Sequence, residues 1–147
     1  EQQAAACTQL LQAVQTSEDR WNRSRPAARD TALGQLRSLA FEYTGTRIGA
    51  WAATVLVTEM MHDVAYRSAD LGRFARETGS LLLANANDEL LVPSRAWSAY
   101  RFLKNRDRAM AENLLTWWEN AAPGTRLVAA VRRAAVQEAA GATRGRR

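Results

Sequence analysis

Glu59-Met-Met-His62-Asp63 is the run of this chain with the most chemistry in it. Glutamate and histidine three apart on a helix point the same way, and ferritin-like di-iron bundles use that spacing to aim ligands into a core. Such centres take two of these motifs. His62 is the single histidine of the chain, so a di-iron centre is excluded. A mononuclear site built from Glu59, His62 and Asp63 is the one metal candidate left. The plainer reading is preferred: a hydrogen-bonded or exposed polar stripe where a helix meets solvent.

The same histidine would have to serve as base for any serine or cysteine nucleophile. Neither Cys7 nor any serine carries a signature that links it to His62, and Ser24, Ser68 and Ser94 read as helix caps. There is no phosphate-binding glycine loop, no dinucleotide fingerprint after a strand and no pair of cysteines. Asp88-Glu89 falls beside a helix start, where it complements the helix dipole. The reading is therefore non-enzymatic, with no catalytic residue and no cofactor.

Recognition is better represented than catalysis. Five tryptophans stand at 21, 51, 97, 117 and 118, and tryptophan is enriched at binding hot spots as well as in cores. Trp117 and Trp118 lie about 100° apart around a helix, so both cannot face one way. Trp118, four residues from Leu114 and eight from Met110, is expected to point inward. Trp117 is expected to point outward.

Charge is the other signal. Residues 1–123 carry 14 basic and 14 acidic side chains, whereas residues 124–147 carry six arginines against Glu138 alone. The formal charge of +5 thus belongs to the last helix and tail, where Arg126, Arg132 and Arg133 could meet phosphates of nucleic acid or anionic lipid. No aromatic is interleaved with them and no helix-turn-helix spacing is present, so sequence-specific readout is not expected. Nineteen of the 20 basic residues are arginine; codon bias of a GC-rich genome explains this and the abundant alanine together.

All of these residues must be positioned by helices. Alanine is frequent, and glycine and proline fall mostly at candidate helix ends, which favours helix over strand. With 47% hydrophobic and 24% charged residues over 147 positions, one globular domain is expected, burying roughly 68–70% of its unfolded surface. Cys7 alone makes no internal disulfide; it is expected on the buried face of the first helix and leaves the compartment open. The start at Glu1 fits a processed mature protein or a trimmed one, and no signal peptide is present to decide between them.

The organising stretch is Ile48–Tyr66, apolar or small on every side through its first two turns. A helix of that kind is buried all round, and Trp51 is expected in the core. Glu59 interrupts it well short of the about 20 apolar residues needed to span a bilayer. Around it, helical spacing predicts segments over about 2–23, 26–43, 69–84, 94–104, 106–121 and 125–140. Irregular chain is expected at 85–93, a corner with Asn105 as cap near 104–108, and a disordered basic tail over 141–147. The sequence thus describes a soluble, alanine- and arginine-rich all-α protein: a compact irregular bundle of six or seven helices around a buried central helix (about 47–67), forming a single domain over 1–140. Its expected function is protein–protein interaction, as a helical subunit, adaptor or inhibitor-like protein, through Trp117. The alternative is a nucleic-acid or anionic-surface accessory protein that uses segment 124–147.

Overall fold

A computed structural model of the chain describes residues 2–18 and 26–145; Trp21, Ser24, Arg146 and Arg147 lie outside them. These residues form seven helices: α1 (Gln2–Glu18), α2 (Pro26–Glu42), α3 (Arg47–Tyr66), α4 (Leu71–Ala84), α5 (Val92–Lys104), α6 (Arg108–Ala121) and α7 (Arg126–Gly145). No strand occurs among the described residues. α7 runs five residues past the 140 boundary read from the sequence, so residues 141–145 are helical where a disordered tail was expected. Nothing there breaks the helix: Gly141 and Gly145 cost only about 1 kcal/mol each relative to alanine.

Short polar side chains start the helices. Thr46 accepts the Gly49 N–H at 3.3 Å, and Asp107, directly after the Asn105 corner, accepts that of Met110 at 3.1 Å. Asp88 accepts three successive N–H groups, those of Leu90, Leu91 and Val92, and so organises the entry to α5. Ser68 is not a cap. It adopts a left-handed φ of 57° where the chain turns back after α3, and the N–H of Ala69 returns to the Asp63 carbonyl. Asp70 does the capping instead, taking the Gly72 N–H at 2.8 Å.

α3 packs against α1, α2, α4 and α5, while α6 and α7 pack on α5 and complete the second half of the bundle. Ala50, Ala52, Ala53, Leu56 and Val57 of α3 are all fully buried. Trp51 is not in the core; it is 45% exposed. The four neighbours close around the alanine-bearing sides of α3 and leave one arc open, along which Ile48, Trp51, Val55, Thr58, His62 and Tyr66 reach solvent to different degrees. An apolar run with no polar face offers no signal as to which side stays uncovered. Cys7 is likewise exposed, because α1 turns Ala6, Leu10 and Ala13 inward, about 100° around the helix from Cys7 and Leu11.

Two polar devices lie inside this apolar frame. The first is Arg29, buried on α2, whose guanidinium reaches Glu59 at 3.0 Å and Asp63 at 2.9 Å on α3. Burial opposes its charge, and the hydrogen bond to Glu59 and the field of Asp63 more than offset this, so its pKa is raised. The second is Asn85, fully buried at the end of α4. Its amide donates to the Leu81 carbonyl and accepts the Gly45 N–H at 3.3 Å. Gly45, with φ 82°, and Gly49, where a Cβ would collide with the Tyr43 carbonyl, make the α2–α3 corner that Asn85 grips. Across the second half, the Tyr100 hydroxyl donates to Glu112 at 2.5 Å and ties α5 to α6; burial, then that bond, push its pKa up to about 12.

Two stability outcomes are expected. Arg29→Ala should cost about 3–5 kcal/mol in denaturant unfolding, the usual effect of removing one partner from a buried ion pair; a cost under about 1 kcal/mol would show that the pair is dispensable. Trp51→Ala should cost only about 1 kcal/mol, as befits a half-covered ring. A loss in the range of about 3–5 kcal/mol that a core aromatic gives would return Trp51 to the core.

Candidate functional site

The sequence singled out three places, and the structure treats them differently. At Glu59-Met-Met-His62-Asp63, both carboxylates turn toward Arg29 on α2. His62 faces the open arc of α3 and lies against Tyr66, with ring centroids 4.7 Å apart. No group of three or more His, Cys, Asp or Glu side chains converges as metal ligands among the described residues. Glu59 and Asp63 are thus parts of the α2–α3 joint. Sequence reasoning missed their partner, although Arg29 leaves a signal: it stands three and seven residues before Ala32 and Leu36, on the apolar stripe of its own helix.

The tryptophan pair is divided by its helix. Trp118 is fully buried, and its indole N–H donates to the Gly79 carbonyl of α4 at 3.1 Å. Trp117 is 43% exposed. Its ring still has a defined seat, because Gly79 has no side chain: a Cβ there would stand 2.9 Å from Trp117 Cζ3 and from Leu114 Cδ1. Gly79, fully within α4, thus receives both indoles, one by its carbonyl and one by its missing Cβ.

Trp117 forms one end of a groove of about 440 Å³ between α4 and α6. The α4 wall is Gly72, Ala75, Arg76 and Ser80, and the α6 wall is Met110, Asn113, Leu114 and Trp117. Each set follows a spacing of three or four residues, so each is one face of its helix. The α4 wall is made mainly of small residues, which lets another backbone approach closely. Arg76 is the one charged residue of the lining, and it pairs with no carboxylate among the described residues.

The C-terminal arginines are elsewhere. Arg132 holds Glu119 of α6 at 2.8 Å and Arg126 lies 3.4 Å from Glu89, while Arg133 is exposed and has no such partner among the described residues. Glu119 is about 200° around α6 from Trp117, so the arginine contacts and the groove occupy different sides of that helix. Two of the three predicted cations are therefore already engaged within the chain, although exposed pairs of this kind contribute little to stability.

The chain matches no protein-family model, no curated protein and no solved structure.

Gly79→Ala tests the seat of the groove. Alanine in a helix is better than glycine by about 1 kcal/mol, and crowding of this size costs about 1–3 kcal/mol, so net stability should move by no more than about 2 kcal/mol. The informative change is in Trp117, which should swing outward and shift the tryptophan emission to the red. The same substitution in a Trp117→Phe background should give no such shift; an equal shift in both backgrounds would locate the disturbance at Trp118.

Proposed function

We propose that this protein is a non-enzymatic interaction module that takes an apolar segment of a partner protein into the α4–α6 groove, around Trp117. The observation that carries this reading is the contrast between two adjacent rings. Trp118 is the core anchor of α6, whereas Trp117 is held against Gly79 with nearly half its surface open. A rigid, amphipathic aromatic at the end of an apolar groove is the kind of side chain that dominates binding energy at interfaces. Helix-in-groove docking suits the walls, since two helical faces spaced by three and four residues present a trough for a third.

The alternative reading, contact with nucleic acid or an anionic surface through 124–147, draws its support from Arg133 and Arg144, which pair with no carboxylate among the described residues. It competes less well because Arg126 and Arg132 already hold Glu89 and Glu119.

A paired measurement separates the two. Trp117→Ala should leave unfolding free energy within about 1 kcal/mol of the parent. The same protein, used as bait in a lysate of its source, should lose a captured partner by about 30-fold or more, which corresponds to about 2 kcal/mol. Large destabilisation, or equal capture by both baits, would remove the groove reading. Tight binding of a fluorescent 20-base-pair duplex that falls linearly in log K with log salt, and that Arg132→Ala and Arg133→Ala together abolish, would favour the alternative.

A further inference from the structure

A second cavity, of about 410 Å³, opens between α2, α3 and α4 on the far side of α4 from the Trp117 groove. Its three walls repeat one arrangement. On α2 the lining runs Asp30, Leu33, Arg37; on α4 it runs Asp70, Phe74, Glu77. On α3 it runs from Asp63 through Met60 to Leu56. Each helix therefore contributes an aspartate at one end, an apolar side chain one turn away, and a further residue about 10 Å along.

The aspartates belong to the same end. Arg29, next to Asp30, is in ion contact with Asp63, and the chain leaving α3 returns the Ala69 N–H to the Asp63 carbonyl directly before Asp70. The other end is closed by Glu77, which is held by Arg37 at 3.1 Å and by Arg73 at 3.0 Å. Burial alone would raise the Glu77 pKa, and the two arginines outweigh it and lower it. Three aspartates against Arg29 and Arg67 leave one end of the cleft with an excess negative charge, and Arg37 and Arg73 against Glu77 leave the other with an excess positive one, over an apolar floor.

The charge at the negative end is not used up by the fold. Asp63 is bound by Arg29 and also lies 3.8 Å from Arg67, and one oxygen of Asp70 caps α4. Asp30 is exposed, and its carboxylate has no hydrogen bond or ion pair among the described residues. The three do not converge as ligands of one metal ion; they stand around one end of a cleft whose floor is apolar. From this juxtaposition we infer that the α2–α3–α4 cleft binds a small organic cation with an apolar body, an alkylammonium, its ammonium among Asp30, Asp63 and Asp70 and its chain on Leu33, Met60 and Phe74. The volume is in the usual range for small-ligand sites, about 300–1,000 Å³.

The test uses n-hexylammonium, 1-hexanol and hexanoate on the intact chain at neutral pH. The three probes share a six-carbon body and differ in charge. Calorimetric titration should give hexylammonium at least tenfold tighter than hexanol, hexanoate weaker still, and Asp30→Asn should cost hexylammonium at least fivefold at unchanged thermal midpoint. The chain has three methionines, and they report location: Met60 lines this cleft, Met110 lines the Trp117 groove, and Met61 lines neither. With methyl-labelled methionine, hexylammonium should move the Met60 resonance and leave Met110 in place. Hexanol binding as tightly as hexylammonium, indifference to Asp30→Asn, or movement of Met110 in place of Met60 would each overturn the assignment. None of these outcomes bears on partner capture by Trp117.

Discussion

The backbone of α3 is approached from four sides, and alanine is what permits it. The separation of packed helices depends on the side chains at the contact, and on α3 these include Ala50, Ala52 and Ala53, all fully covered. With α1, α2, α4 and α5 packed on α3, Trp51 is left on the uncovered arc. The same crowding explains Gly49: the α2–α3 corner folds so tightly that a Cβ would meet the Tyr43 carbonyl.

Close packing of small residues is geometrically permissive, because alanine faces slide past one another with little change in fit. Polar contacts remove that freedom. Arg29 fixes the position of α2 along α3 by reaching two carboxylates one turn apart, and Asn85 fixes the end of α4 to the Gly45 corner. A buried ion pair is weak support for stability compared with an apolar core, and its better-supported role is to specify one arrangement over near alternatives. Here the two devices grip α3 near opposite ends, Arg29 beside Asp63 and Asn85 beside Gly49.

Surfaces left over from this packing are where function is proposed. Both cavities border α4, one facing α6 and one facing α2 and α3, and they differ in character: small and apolar around Trp117, charged at both ends around Met60. α4 can serve both because Gly72, Gly79 and Ala75 keep one side slim while Arg73 and Glu77 occupy the other. Gly79, which weakens α4 as an isolated helix, is thus the residue that lets the indoles of α6 seat against it.

Much of this was readable before any coordinates. Capping residues, alanine content and helical spacing specify an all-α bundle and most inward faces, because they depend on contacts within a few residues of each other. The opposite fates of Trp117 and Trp118 follow from the 100° step of the helix together with Leu114 and Met110. What the sequence by itself did not determine is what depends on which helices become neighbours. Trp51 lies in a run with no polar side, so periodicity marks no outward direction and only the placement of four neighbours decides it. Cys7 turned outward because the face of α1 that meets its neighbours is the one bearing Ala6, Leu10 and Ala13, about 100° away. Arg29, Asn85, Gly79 and the three aspartates around Met60 act across separations of 30 to 40 residues or between helices, and that distance along the chain is bridged only by tertiary packing.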